Sequence, residues 1–252
     1  MITIRREKTV DPAAIRRVLD GAFGRSKESA AVDRLRQRGA VVLSLVALRA
    51  ETIIGHVMFT AARLDAQAAP TWLDDEQRAP ARPGRAEPRP PLRSPHVEPE
   101  LPWLTLDEQF AREQREREMA EVAEAAEAAA RAKARKELLE ANRLAAITAG
   151  LTPAPPHVVL GPLGVLPNQQ RRGIGTLLVQ AGLDHLARVS CEAVFVLGDP
   201  RFYGRFGFVS ARLHGIGCEL PARSEAFQVR VLAAGSFADA GGVVRIEPEL
   251  HI

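Results

Sequence analysis

The sequence predicts an α/β (α+β) fold: a central sheet flanked by helices and interrupted by a long helical insertion. Three observations carry that reading. Short β-rich runs alternate with amphipathic helical stretches at both ends of the chain. Two of the early β-rich runs are separated by only a tight turn, which predicts an antiparallel hairpin. Between the two folded stretches the composition changes abruptly.

The elements follow in order. "ITIRRE" reads as a strand. "DPAAIRRVLDGAF" opens with Asp11 in N-cap position and Pro12 at the first helical position, and Ile15, Val18, Leu19 and Phe23 recur at helical spacing. "KESAAVDRLRQRG" is a second short helix that Gly39 ends. "AVVLSLVAL" and "TIIGHVMFTAARL" form the hairpin, turning near Arg49–Glu51. These elements make up a first folded stretch, residues 1–65. Residues 66–104, rich in Pro, Arg, Ala and Glu, bury too little apolar surface to offset ordering, so an irregular linker is expected. Residues 105–150 hold almost only strong helix formers, opened by a capping box of Thr105 with Glu108 and closed by Gly150. One helix over 106–149 would run for about 65 Å. Its apolar residues are sparse, so it is either a solvated helix held by i,i+4 charge pairs or a coiled-coil arm for a partner or a second copy.

From His157 the folded pattern returns, over 157–235. "HVVLGPLGVL" is a buried strand. Residues 173–188 form a helix whose inner side is Leu177, Leu178, Gly182, Leu183 and Leu186. "EAVFVLG" is another buried strand, "DPRFYGRFGF" a helical turn entering a strand, and "AFQVRVL" a last strand. Residues 236–252 read as a C-terminal tail.

Bulk composition narrows the function classes. Hydrophobic residues at 46% and charged residues at 26% are ordinary for a globular protein. The formal charge of +3 is too small to imply nucleic acid, and the linker arginines are interleaved with acids and lack stacking aromatics beyond Trp72 and Trp103. Residues 66–156 carry 13 basic and 16 acidic residues, leaving 21 and 15 elsewhere. The folded part is therefore the basic part, which suits an anionic ligand. The two cysteines, Cys191 and Cys218, have no metal-type spacing and read as buried packing residues in a reducing setting. His96, His214 and His251 make no cluster, so no metal is expected. Without a signal core or an apolar run near ~18 residues, the chain is expected to be cytoplasmic, with no membrane contact.

The stretch "VLPNQQRRGIGTLLVQAGLDHL", residues 165–186, carries the most chemistry. A strand stops at Pro167, two arginines and two glycines follow, and an apolar helix begins. A helix N-terminus offers unpaired N–H groups and partial positive charge. Gly173 and Gly175 let the backbone curl so that several N–H groups share one concavity, a nest for phosphate or diphosphate with Arg171 and Arg172 at its rim. A Walker loop would need Gly-Lys-Ser/Thr and a dinucleotide turn a third glycine, and both are missing. The remaining pattern is Q/R-x-x-G-x-G/A, here Gln170-Arg171-Arg172-Gly173-Ile174-Gly175. It resembles the acetyl-coenzyme A loop of the GNAT superfamily of N-acetyltransferases. "GDPRFYGRFGF", residues 198–208, resembles the C-terminal signature of a predicted N-acetyltransferase subset of that superfamily, and the 46–59 hairpin resembles its second and third strands. The resemblance covers about residues 1–64 and 157–235, not the insertion.

That resemblance implies a mixed, mostly antiparallel sheet whose fourth and fifth strands splay apart to admit the pantetheine arm of acetyl-CoA. It implies that Leu163, Gly164 and Val165 bind the arm through backbone, and that Arg171, Arg172, Gly173, Ile174, Gly175 and Thr176 hold the diphosphate. It further implies that Tyr203, the only tyrosine, protonates the leaving thiolate. The acceptor would be an amine of a small molecule or a protein. The base stays open between His56, His157, Asp199 and water. Arg201 and Arg205 read as surface charges, with Asp199 a candidate partner for Arg205, and a non-catalytic acyl-CoA-binding module stands as the alternative.

Overall fold

The computed structural model describes residues 1–70, 106–148, 150, 152–220, 225–233 and 241–251. The expected linker lies almost wholly outside these residues, as do Thr105 of the capping box, Trp72, Trp103 and His96. The chain divides into two compact units, residues 1–77 with 139–252, and residues 78–138.

The first unit begins with β1 (Ile2–Arg6), α1 (Pro12–Phe23), α2 (Lys27–Gln37), β2 (Val41–Arg49), β3 (Thr52–Ala61) and β4 (Arg63–Asp65). After the long α3 (Leu106–Thr148) come β5 (His157–Val165), α4 (Ile174–Arg188), β6 (Ala193–Leu197) and the one-turn α5 (Pro200–Tyr203). β7 (Val209–Ser210), β8 (Ile216–Cys218), β9 (Phe227–Val231) and β10 (Gly242–Arg245) complete it. The main sheet runs β1-β2-β3-β5-β6-β9-β7. Only the β5–β6 ladder is parallel, so the sheet is mixed and mostly antiparallel.

The hairpin turn is tight because Ala50 and Glu51 both take positive φ, +43° and +66°, the backbone of a two-residue turn matched to strand twist. Period-2 alternation then sorts the strands' side chains between two faces. One face packs Leu45, Val57 and Phe59 against Ile174, Leu178, Val179, Leu183 and Leu186 of α4. The other packs Val46, Leu48 and Met58 against Ile15, Val18 and Leu19 of α1 and Val32 and Leu35 of α2.

Four details differ from expectation. Asp11 does not cap α1: its carboxylate pairs with Arg5 at 2.6 Å and accepts the Lys8 N–H at 2.7 Å. Leu177 is exposed, and Ile174 and Val179 fill the inner face of α4 instead, because at about 100° per residue Leu177 falls outside the arc they share with Leu178, Gly182, Leu183 and Leu186. The expected tail contains β10, which pairs with β4 and β8 in a second, three-stranded sheet. Because β4 precedes them, the strands expected as fourth and fifth are β5 and β6. The packed unit also extends beyond residue 65: a Cβ on Gly217 would lie 2.8 Å from Pro70.

In α3 the described side chains are exposed, Met119, Val122, Leu138, Leu144 and Ile147 among them, and Glu127 pairs with Arg131 one turn on. No helix among the described residues is long and apolar enough to cross a membrane.

Candidate functional site

The site begins where two strands part. β5 stays paired with β3 as far as Gly55↔Val165, but its ladder with β6 stops at Leu160↔Val196. Residues 161–165 therefore present a strand edge on the β6 side that no described strand pairs. Such an edge offers N–H and C=O groups to an extended ligand.

The chain then leaves β5 through a 3-10 turn at Pro167–Gln169 and curls into α4. The Gln170 side chain donates to the Val165 carbonyl at 3.0 Å and ties the loop back to the strand end. The curl differs from the two-glycine expectation. Positive φ falls at Arg171 (+57°) and Gly173 (+78°). Gly175 does not take positive φ, and a Cβ there would lie 3.4 Å from the Phe202 ring, in close but ordinary contact. α4 has no side-chain cap at its N-terminus, so its first N–H groups remain available.

A cavity of about 500 Å³ opens at this point, lined by the loop from Gln169 to Thr176, by Leu163 and Val165, and by Phe202 and Arg205 from the far wall. Of the expected ligand-binding residues, Leu163, Val165, Arg171, Gly173, Ile174, Gly175 and Thr176 line it. Arg172 does not, and neither does Gly164, whose α-carbon faces α1: a Cβ there would lie 2.9 Å from Leu19. Strand alternation is the reason, since Gly164 sits between two residues that point the other way. Sequence reasoning passed over Phe202 and Arg205 as lining residues, since their approach to the loop is a long-range contact.

Tyr203 lies behind that wall. Its ring meets Phe202 edge-on at 4.9 Å and Phe208 at 5.6 Å, and Gly198 leaves room for it, since a Cβ there would lie 2.4 Å from the ring. Tyr203 is buried, does not line the cavity, and among the described residues nothing hydrogen-bonds its hydroxyl. Burial pushes its phenol up to about 12.

The three base candidates lie apart. Asp199 accepts the Arg201 N–H at 2.9 Å and caps α5, and it makes no ion pair with Arg205 among the described residues. His157, at the start of β5, sits edge-on to Phe195 at 6.1 Å, eight residues before the strand end that lines the cavity. His56 is fully buried on the α1 and α2 side of the sheet. Its Nε2 is 2.9 Å from the Ser44 hydroxyl, which also bonds Glu7. Burial, with the nearby Arg36 charge, pushes the His56 imidazole down to about 3, so it is neutral and weakly basic. Among the described residues no group of three or more His, Cys, Asp or Glu is placed to hold a metal ion.

Comparison with known proteins bears on this geometry. The family model described as Acetyltransferase (GNAT) family matches residues 99–208. The Uncharacterized N-acetyltransferase YhbS of Escherichia coli K12 is 39% identical over 87 residues, 34% of this chain and 52% of that protein. The Uncharacterized N-acetyltransferase YjhQ of the same strain is 44% identical over 50 residues, 20% of this chain and 28% of that protein. The matched part thus spans about half, or less, of these relatives' length. Two crystal structures share the fold. One is YhbS from Escherichia coli in complex with CoA, with a TM-score of 0.62 and 22% identity, covering 100% of this chain and 92% of that chain. The other is a GNAT family acetyltransferase from Brucella melitensis in complex with acetyl-CoA, with a TM-score of 0.55 and 20% identity, covering 99% and 98%.

Proposed function

This chain belongs to the GNAT superfamily, and from that premise we propose that it transfers an acetyl group from acetyl-CoA to a primary amine of a small molecule or protein by direct attack. One observation carries the reading: an uncapped helix N-terminus, curled at Arg171 and Gly173, faces a cavity beside the free strand edge of β5. An anion nest next to an unpaired strand edge suits a ligand with a diphosphate at one end and an amide-bearing arm at the other. Both relatives crystallised with the CoA carrier share this fold.

In this reading the N–H groups of the loop from Arg171 to Thr176 hold the diphosphate. The backbone at Leu163–Val165 holds the arm, and an N–H there polarises the thioester carbonyl, stabilising the charge that develops as the amine attacks. The new N–C bond forms as the C–S bond breaks, and the thiolate leaves. Tyr203 is assigned the thiolate's proton on the resemblance of residues 198–208 alone, since its ring lies behind Phe202 and outside the cavity lining. Its phenol, pushed up to about 12, stays protonated at working pH. The amine must be neutral when it attacks. His56 is too weakly basic and Asp199 is engaged as a cap, so solvent water takes the amine proton.

A thiol-release assay with acetyl-CoA and a panel of amines tests the reading. Amine-dependent release of free thiol is expected. Saturable cofactor binding with no release for any amine would favour a binding module, and absence of binding would remove the reading altogether.

A further inference from the structure

Arg205 occupies a place that the reading above leaves unused. It lines the phosphate-loop cavity and also a second cavity of about 510 Å³, lined in part by Gln180, Asp184, Phe206, Gly207 and Arg230. The Arg205 side chain is held rigidly. Its Nε donates to the Phe202 carbonyl at 3.2 Å, and its guanidinium carbon lies 4.8 Å from the Phe202 ring centre and 5.8 Å from that of Phe206. Those two rings meet edge-on at 5.5 Å, so the arginine is seated on an aromatic base. Arg230 approaches the same cavity across Gly207, where a Cβ would lie 2.4 Å from its Nη1. Neither arginine makes an ion pair among the described residues. Among the described residues, the only carboxylate lining the cavity, Asp184, accepts a hydrogen bond from the Gln180 amide at 2.8 Å. Two arginines, one of them pre-oriented, thus share a polar concavity that adjoins the anion nest.

We propose that Arg205 and Arg230 form a phosphomonoester site that reads the 3′-phosphate on the ribose of the coenzyme A carrier and so sets the preference for CoA over its dephospho form. The proposal rests on the CoA reading above. CoA carries two separate anionic groups, and the nest accounts for one, the diphosphate. The monoester bears nearly two charges and three acceptor oxygens at neutral pH, which calls for planar, multi-donor cations rather than backbone N–H groups alone. Arg205 borders both cavities, so one ligand reaches both sites without crossing solvent.

The test compares CoA with dephospho-CoA by titration calorimetry on the full chain and on Arg205→Gln, Arg230→Gln and the double variant. The native chain is expected to prefer CoA by about tenfold or more, and the double variant to lose that preference while binding dephospho-CoA as tightly as the native chain. Equal weakening of both ligands would overturn the proposal by placing the arginines on the diphosphate, and so would a preference that survives in the double variant. If neither ligand binds the native chain, the CoA reading itself fails and the proposal with it. A competition experiment on the native chain covers a variant that does not fold. There 3′,5′-ADP is expected to displace CoA about tenfold better than 5′-ADP, with added inorganic phosphate narrowing the gap, and equal displacement overturns the proposal.

Discussion

Two polar regions lie on opposite faces of the central sheet, and they treat charge in opposite ways. On the α1 and α2 face, Glu7 meets Arg36 at 2.6 Å, Arg36 meets Asp33 at 2.6 Å, and Ser44 bridges Glu7 to His56. On the α4 face, Arg171 and residues 173–176 line a cavity, with Arg205 on its far wall. The first cluster looks like a catalytic row, with a carboxylate, a serine and a histidine in sequence. Yet the carboxylate bonds the serine rather than the far nitrogen of the ring, and the ring is neutral, so nothing activates the hydroxyl as a nucleophile. Charges answered by one another hold a fold together even where, as at Glu7, Arg36 and Ser44, they line a cavity of about 510 Å³, so it is the pairing of the groups and not the cavity that separates the two regions.

Four measurements break or sharpen this contrast. The largest effect is expected on the internally paired side. Arg36→Ala leaves Glu7 without its cation, and denaturant unfolding should show a loss of about 2–3 kcal/mol with unchanged CoA affinity. Weaker CoA binding in that variant would erase the distinction between the two regions. Next, Gly173→Val forces a β-branched residue to positive φ at the nest, and calorimetry should show CoA binding about thirtyfold weaker in a chain that also loses stability to the strain. Third, Tyr203→Phe should lower kcat by about tenfold with cofactor affinity unchanged, and wild-type turnover would remove its role as the acid.

The smallest effect concerns pH. The folded imidazole of His56 sits at about 3 against an ordinary 6.5. Between those values the unfolded chain binds a proton that the folded chain refuses, so stability falls as pH drops below 6.5. His185 shifts in the same direction through burial and its neighbours Arg6 and Arg188. The lowered carboxylates of Asp11 and Glu28 lose their contribution only at more acidic pH, as the solution approaches their folded values. The His56 share from pH 6.5 to 5.5 should be about 1 kcal/mol and should vanish in His56→Gln. An unchanged slope in that variant would mean that the ring is not the group that titrates.

Much of the site was legible because it is local. The strand, loop and helix of residues 157–188 are contiguous, and Gln170, Gly173 and Gly175 mark the loop that enters α4. Gly164 lies outside the cavity lining because strand alternation turns its α-carbon toward α1, which leaves its expected backbone role untouched. Leu177 was misplaced because, at about 100° per residue, it lies just past the edge of the buried arc of α4. The tail was missed because β10 has only four residues and pairs with β4, nearly 180 positions earlier.

By itself the sequence determined the order of most elements, the break in composition around the insertion and the glycine-bearing loop at the mouth of α4, because periodicity and helix-mouth chemistry act over a few neighbouring residues. Only the tertiary structure decided that β5 and β6 part after Leu160, that Phe202 and Arg205 close the cavity, and that the Glu7–Ser44–His56 row is sealed away from it. Those outcomes depend on which segments meet across the sheet, and whether a charge is answered by a neighbour or left facing a cavity is settled only when distant segments pack.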